Sequence, residues 1–317
     1  MASANSTFTE IVTTTLREHP SVIADNVSEH NALYRRLKTK GKIKKLDGGY
    51  EIVRPLDYAE NSTFQRYSGY DTLNISASDV LSAAKYSWVQ SAVNVTASGL
   101  ELRQNSGKNQ IIDLAAARVR NAMRTASNNM SVDLYSSGSL TNQMGGLGHI
   151  IQTDGAGTVG GIVSSIFTFW KNQFVEQGTP SKSSIKGDMN TIWLRLVRGT
   201  DKPDLIVSTH DNYNYYWESL QDLQRYTRSD DEATAGFQSL KFVTADVIFD
   251  DNSNFSTTGE KMYFLNTEYI ELCVHRDANW TQLDDKMSVN QDAVVIPIIW
   301  QGQLTCSNRS LQGVVFD

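Results

Sequence analysis

The feature that most constrains this chain is a basic tract followed directly by two polar, strand-like segments. Between residues 35 and 45 the sequence has only basic charges, with no acid among them. The tract consists of Arg35, Arg36, Lys38, Lys40, Lys42, Lys44 and Lys45. After Gly48-Gly49, residues 50–58 and 63–75 are typical of strands, with a turn at Asn61-Ser62. Because a lone hairpin is marginally stable in water, the pattern predicts an arm and a projecting ribbon that lie on another molecule.

The charge of the chain is polarised along its length. The net charge is −6 at pH 7, and since the tract supplies +7, the remainder carries −13. A basic arm on an acidic body favours an acidic partner, either a neighbouring copy or a nucleic-acid backbone. The alternative interpretation is a solvated end of the short helix predicted at residues 28–40.

A long amphipathic helix is the clearest regular element. Residues 108–135 carry an apolar stripe at helical spacing on a polar and basic background. The stripe consists of Ile111, Ile112, Ala115, Val119, Ala122, Met123, Ala126, Met130 and Leu134. At the α-helical rise this segment would be about 40 Å long, which predicts a structural spine.

The second half of the chain mixes helices and strands, so the fold class is predicted to be α+β. Residues 85–102 alternate like one or two long strands, and 184–198 form a second amphipathic helix. A buried strand at 203–208 enters a helix at 210–226. Further strands are predicted at residues 237–249, 261–265, 269–276, 293–301, 304–307 and 313–316.

The cysteines and the N-terminus indicate a protein kept in a cytoplasm. Cys273 and Cys306 lie in separate, half-buried strand patterns, which favours two free thiols. Residues 1–10 lack a secretory signal, and no apolar run is long enough to span a bilayer. No membrane association is predicted.

Signatures of enzyme chemistry are weak. Residues 155–160 match the glycine fingerprint of dinucleotide-binding folds, but the preceding strand is poor and the expected acid about 20 residues later is missing. The five histidines show no metal-ligand spacing. No catalytic, cofactor or metal site is therefore predicted, although a nucleotide-dependent oxidoreductase stays open as an alternative.

With these elements in order, the whole chain resembles the major capsid proteins of tailed bacteriophages. The resemblance rests on the spine and on five segments: DGGYEI at 47–52, PDLIV at 203–207, AGFQSL at 235–240, MYFLN at 262–266 and NRSLQG at 308–313. It implies an N-terminal arm at residues 1–46 and an extended loop at 47–76. A peripheral domain is expected at 77–199 and 267–290 with the spine at 108–135. An axial domain with a mixed sheet is expected at 200–266 and 291–317, with the final strands assignable to either domain.

The resemblance implies a structural role and no enzymatic activity or cofactor. Copies of the chain would form hexamers and pentamers of an icosahedral head shell around double-stranded DNA, in a virion assembled in the bacterial cytoplasm. A portal protein and a separate scaffolding protein are expected partners, the latter because only about 27 residues precede the first predicted helix. The expected intersubunit residues of the extended loop are Tyr50, Ile52, Arg54, Phe64, Arg66, Tyr67, Tyr70 and Leu73.

One departure from the family and two further alternatives matter. Some members crosslink through a lysine of the extended loop, but residues 46–84 contain no lysine, so a non-covalent shell is expected. An encapsulin-type compartment enclosing cargo enzymes would share the fold. A different virion component, such as a tail or decoration protein, is the other alternative.

Overall fold

The computed structural model describes residues 32–98, 100, 113–224, 240–250, 260–283, 286–287 and 292–317. Its helices are α1 (Ala32–Thr39), α2 (Asp113–Leu134), α3 (Leu147–Ile150), α4 (Ile185–Leu196) and α5 (His210–Gln224), with 3₁₀ turns at Thr168–Trp170 and Arg309–Leu311. The first half contributes strands β1 (Ile43–Leu46), β2 (Glu51–Asp57), β3 (Leu81–Ser87), β4 (Val89–Ser98), β5 (Thr158–Val159), β6 (Ile162–Val163) and β7 (Gln173–Glu176). The second half contributes β8 (Leu205–Ser208), β9 (Leu240–Phe242), β10 (Ala245–Phe249), β11 (Lys261–Leu265), β12 (Ile270–Gln282), β13 (Lys286–Met287), β14 (Ala293–Cys306) and β15 (Gly313–Phe316).

Two larger sheets organise the molecule, which confirms the α+β class. The first has the order β1-β12-β14-β13, and β4 also pairs with β14. The second has the order β7-β15-β11-β8-β10-β9. Two further sheets have two strands each, β2-β3 and β5-β6.

The six-stranded sheet is buried on both faces. Along β8, Ile206 belongs to an apolar cluster with the buried side chains of α4 and α5, whereas Leu205 and Val207 belong to a larger cluster that includes the spine α2 and the five-stranded sheet. This alternation follows from the two-residue period of a strand. The sheet therefore separates two cores and contributes side chains to each.

The structure has a long helix at the position of the predicted spine. Helix α2 has 22 residues, about 33 Å at the α-helical rise, and residues 108–112 of the predicted helix lie outside the described part. The buried members of the stripe are Val119, Ala122, Met123, Ala126, Met130 and Leu134. After α2 ends, the chain folds back and packs against the last turn of the helix. A Cβ on Gly146 would come within 2.3 Å of the Asp133 carbonyl oxygen.

Three strand predictions are corrected. The strand that pairs with β2 is β3, at residues 81–87, and not the predicted 63–75, which forms no strand. Within the predicted strand 237–249 the structure has a hairpin of β9 and β10, which turns at Val243 with φ of 53°. The predicted strands at 293–301 and 304–307 are one strand, β14. By contrast, strands 261–265 and 313–316 are confirmed.

The predicted domain boundaries remain a prediction. Strand β7, which the expected peripheral range includes, pairs with β15 in the six-stranded sheet. Strand β14, which the expected axial range includes, pairs with β12 and β4 in the five-stranded sheet. Residues 28–31 of the short helix predicted at 28–40 and residues 225–226 of the helix predicted at 210–226 lie outside the described residues.

Candidate assembly interface

The ribbon has a buried base and an exposed tip. At its base, β2 pairs antiparallel with β3 from Glu51↔Ser87 to Asp57↔Leu81. Ile52 and Tyr86 are buried there, and the Tyr86 hydroxyl donates to the Cys306 carbonyl at 2.8 Å. The base is thus part of the body, and only the tip, residues 59–79, extends beyond the paired strands.

The tip holds its shape through local hydrogen bonds. The Gln65 side chain donates to the Thr72 carbonyl at 3.0 Å and accepts from the Asn74 amide at 3.3 Å. The Ser68 amide donates to the Asp71 carboxylate at 2.8 Å, beside Gly69 with φ of 52°. Side-chain bonds to nearby backbone groups of this kind define compact loops.

Most of the predicted apolar interface residues are exposed in the single chain. Tyr50 is 95% exposed and Phe64 80% exposed. The other exposed members of the predicted set are Tyr67, Tyr70 and Leu73. Tyr50 precedes β2, at the end of the ribbon away from the tip, whereas the other four lie on the tip. Large apolar side chains exposed on one loop mark an interaction surface rather than chance exposure. Their contact with a second copy stays a prediction.

Ile52 and Arg54 do not belong to that exposed surface in the single chain, and their contact with a second copy stays a prediction. Ile52 is only 3% exposed because it packs into the chain's own core. The Arg54 guanidinium forms an ion pair with Glu271 and donates to Thr305 Oγ1 at 3.2 Å and Cys273 Sγ at 2.9 Å. Sequence reasoning missed these contacts because all three partners lie more than 200 positions away along the chain.

Arg66 lies over an aromatic ring of the tip. Its guanidinium carbon is 5.9 Å from the centre of the Phe64 ring, within the range of a cation–π contact. It is the only basic residue of the tip. The tip therefore offers an aromatic ring and a positive charge side by side.

Part of the basic tract contacts the body of its own chain, and the expectation that the tract also lies on another molecule stays a prediction. Arg36 forms an ion pair with Asp246 at 3.1 Å, and Lys40 forms one with Asp204. Both acids belong to the region of β8 and β10 in the six-stranded sheet. Some of the clustered positive charges therefore form ion pairs within one chain.

Of the remaining basic residues of the tract, some contact the body and others are exposed. Lys44 pairs with Glu271 at 2.9 Å, on the same carboxylate that binds Arg54, and Lys42 Nζ donates to the Glu268 carbonyl at 3.4 Å. The exposed members of the tract also include Arg35, Lys38 and Lys45. Their contact with DNA or with a neighbour stays a prediction.

The glycine fingerprint does not form a dinucleotide site. Strand β5 turns back antiparallel to β6, so no helix follows the glycines to bind a pyrophosphate. The loop is also filled, since a Cβ on Gly157 would come within 2.5 Å of the Gln152 amide and one on Gly160 within 2.7 Å of Ala84. This geometry removes the observation on which the oxidoreductase alternative rested.

The two cysteines are buried free thiols, as predicted. Burial raises the pKa of the Cys306 thiol to about 12, so it stays protonated near neutral pH. Over the described ranges there is no group of three His, Cys, Asp or Glu residues that could hold a metal ion. Within those same ranges, no helix has both the length and the apolar character required to cross a bilayer.

An apolar cleft beside the ribbon base was not predicted as a site. Tyr58 contacts Phe169 with ring centres 5.6 Å apart, and Phe167 contacts Phe169 at 6.1 Å. Leu81 and Ile166 are exposed nearby. The feature of the sequence that points to this cleft is the aromatic patch at residues 167–170, in which only Trp170 is fully buried.

No protein-family model matches the sequence, and no curated protein does. The structure is similar to the cyanophage A-1(L) capsid, with a TM-score of 0.61, 15% identity, and coverage of 87% of this chain and 90% of that chain. It is similar to the holo-SrpI encapsulin complex from Synechococcus elongatus PCC 7942, with a TM-score of 0.56, 8% identity, and coverage of 89% and 86%. The capsid of Myoviridae phage XM1 gives a TM-score of 0.54, 13% identity, and coverage of 88% and 91%.

The chain therefore has the fold of phage capsid proteins, and the predicted resemblance is confirmed at the level of fold. The agreement extends over most of the length of each chain compared. An encapsulin shares this fold. The structures that it matches are capsids and an encapsulin rather than enzymes, and the likeness to them is one of fold.

Proposed function

We propose that this protein is the shell subunit of a tailed-bacteriophage head, which assembles into hexamers and pentamers around double-stranded DNA. The fold supports a shell subunit, and the ribbon tip supports assembly from many copies. The observation that carries the proposal is the group of exposed large side chains on a tip that is held in one shape by its own hydrogen bonds.

The energetics favour apolar contacts as the main source of assembly. Fully burying one large apolar side chain contributes about 1.5–3 kcal/mol, whereas an exposed ion pair contributes about 0–1 kcal/mol. Burial of the exposed apolar side chains would therefore contribute much more free energy than an ion pair of Arg66 alone. These side chains are Tyr50, Phe64, Tyr67, Tyr70 and Leu73. Repeated in every copy, this burial would make the subunit's stability inseparable from assembly.

The proposed shell is non-covalent and uses separate partners. Because residues 46–84 contain no lysine, the loop cannot provide the amine for an isopeptide crosslink. A portal protein and a separate scaffolding protein complete the proposal, as does assembly in the host cytoplasm. The exposed Arg35 and Lys45 are the arm residues proposed to meet DNA or a neighbour.

An encapsulin-like compartment is the second candidate, because the similarity to the SrpI encapsulin complex covers 89% of this chain. The two functions differ in what the particle contains. Particles purified from the natural source after nuclease treatment should retain genome-length double-stranded DNA if the first proposal is correct. Particles with a packaged enzyme and no DNA would favour the second.

A loop replacement tests the assembly role of the tip. The Tyr58 amide donates to the Val80 carbonyl at 3.0 Å, so this pair can close a two-residue hairpin. Replacing residues 59–79 by Asn-Gly should leave the subunit folded and abolish closed shells in electron micrographs. Circular dichroism and a single thermal transition check the fold.

Two results would contradict the proposal. If the unmodified chain stays a monomer at high concentration even together with its scaffolding protein, the shell function is rejected altogether. If the loop replacement forms normal shells, the role of the tip is rejected and the shell function stays intact.

A further inference from the structure

The cleft at the ribbon base has the size and lining of a socket for one aromatic ring. Its volume is about 180 Å³, and its apolar walls come from Tyr58, Leu81, Ile162, Phe167 and Phe169. An apolar cavity of about 150 Å³ is known to hold a benzene ring. The cleft is therefore large enough for a phenyl side chain but not for a drug-sized ligand.

The cleft also contains one charge at its edge. Asp79 is the only charged residue of the lining, and it is exposed. An apolar socket with a single carboxylate matches a group that combines an aromatic ring with a cation. It does not match a nucleic-acid backbone, because the carboxylate would repel phosphates.

The ribbon tip of the same chain presents the complementary group. Phe64 is 80% exposed, and the Arg66 guanidinium lies over its ring. In the single chain Phe64 thus lies in solvent and does not fill the cleft, although both belong to the same ribbon. The socket and the ring are separate surfaces of one molecule.

We propose that the cleft binds the ribbon tip of a second copy, with Phe64 in the socket and Arg66 paired with Asp79. The inference rests on the proposed shell function and identifies the surface that receives the tip. Because the Phe64–Arg66 pair and the cleft that receives it are different surfaces, the contact is heterologous, and repeating it generates a closed ring where the rotation between copies closes. Such rings are the capsomers that the proposed function requires.

Charge exchange tests the pairing. Arg66→Asp and Asp79→Arg should each raise the protein concentration needed for assembly about tenfold, because each places like charges at the contact. The double variant should return it to within about threefold of the unmodified value. Light scattering against protein concentration, with electron microscopy of the products, measures both effects.

Glu60 provides the matched control. It is an exposed acid in the same ribbon and does not line the cleft. Glu60→Arg combined with Arg66→Asp should not restore assembly. Equal rescue by Glu60→Arg would overturn the proposal, since the effect would then be one of net charge.

A crosslink tests the position of the ring. A chain with Phe64→Cys and Phe167→Cys should form disulfides between copies under mild oxidation and give a ladder on a non-reducing gel. The natural thiols do not interfere because both are buried. A monomer band without a ladder would overturn the proposal.

These outcomes separate the inference from the function on which it rests. If shells form and the single charge variants assemble like the unmodified chain, the socket is rejected and the shell function stands. If the unmodified chain forms no shell even together with its scaffolding protein, the proposed function itself is rejected.

Discussion

Among single residues, Arg309 links several parts of the chain. It is fully buried, and its guanidinium donates to the carbonyls of Ile150 at 2.5 Å, Ala156 at 2.7 Å and Trp170 at 3.4 Å. Ile150 and Ala156 lie in the glycine-rich segment that follows the spine, and Trp170 lies in the 3₁₀ turn after it. A buried arginine therefore supplies the donors that this irregular segment lacks.

Arg309→Met should lower the free energy of unfolding by about 3 kcal/mol or more, because three carbonyls lose their donor in a dry environment. Urea denaturation of the unassembled subunit measures the change. Arg195→Met is the control, since Arg195 is exposed and donates only to the Phe174 carbonyl at 2.8 Å. It should lose under about 1 kcal/mol, and an equal loss in both variants would contradict the role of Arg309.

His149 lies close to this network and gives the chain a pH dependence. Burial, and then the positive charge of Arg309, lower the pKa of its imidazole below the usual 6.5. As the pH falls through about 6.5 the unfolded chain takes up a proton that the folded chain does not. His149 therefore lowers the free energy of unfolding as the pH falls.

His149→Gln should reduce the loss of stability between pH 7.5 and pH 5.5, as measured by urea denaturation at each pH. The control is His210→Gln, because His210 is exposed. That variant should keep the pH dependence of the unmodified chain. The assignment fails if His149→Gln shows the same acid sensitivity as the unmodified subunit.

At the scale of elements, the arm joins the two sheets of the body. Strand β1 pairs in parallel with β12 of the five-stranded sheet. Arg36 on α1 and Lys40, directly after the helix, are four positions apart. They pair with Asp246 of β10 and with Asp204, which directly precedes β8. The buried Leu33 and Leu37 supply the apolar part of this docking.

Leu37→Ala should weaken docking of the arm by about 2–4 kcal/mol, through lost burial and the cavity left behind. Because β1 lies at the edge of its sheet, it should open locally before the body unfolds. Hydrogen exchange of the β1 amides, and trypsin cleavage within residues 42–45, should become faster. Arg35→Ala, on the exposed face of the same helix, should leave both rates unchanged, and protection unaltered by Leu37→Ala would contradict the docking.

At the scale of the whole molecule, the shared six-stranded sheet should make the two cores unfold together. Ile206 and Val207 are neighbours on β8 but belong to different clusters. A sheet that contributes to both cores cannot lose one without exposing its other face. The expected domains are thus predicted to be thermodynamically coupled.

Ile206→Ala and Val207→Ala should each lower the melting temperature of one and the same transition, with losses of about 2–4 and 1.5–3 kcal/mol. Differential scanning calorimetry of the unassembled subunit provides the measurement. Leu140→Ala, at an exposed position, is the control and should change little. A second, earlier transition in only one of the two core variants would show that the cores are independent.

The sequence predicted those elements whose signal is local. The spine stripe, helix α4 and strands β8, β11 and β15 have the apolar periodicity of their own secondary structure, and the structure has them at or near the predicted bounds. The partner of β2 could not be found in this way, because residues 63–75 alternate as convincingly as residues 81–87. Residues 81–87 are the partner of β2 in the structure because Ala84 and Tyr86 are buried in the core there.

Local pattern in the sequence is sufficient for the long helix, the mixed α+β body and an aromatic ribbon with a basic tract before it. The ion pairs of Arg54 and of three residues of the basic tract with acids of their own chain follow only from the three-dimensional fold. Arg36, Lys40, Lys44 and Arg54 find Asp246, Asp204 and Glu271, which lie 164 or more positions away. Periodicity reports only on neighbours along the chain, whereas the partner of a charge depends on which distant strands the fold brings together.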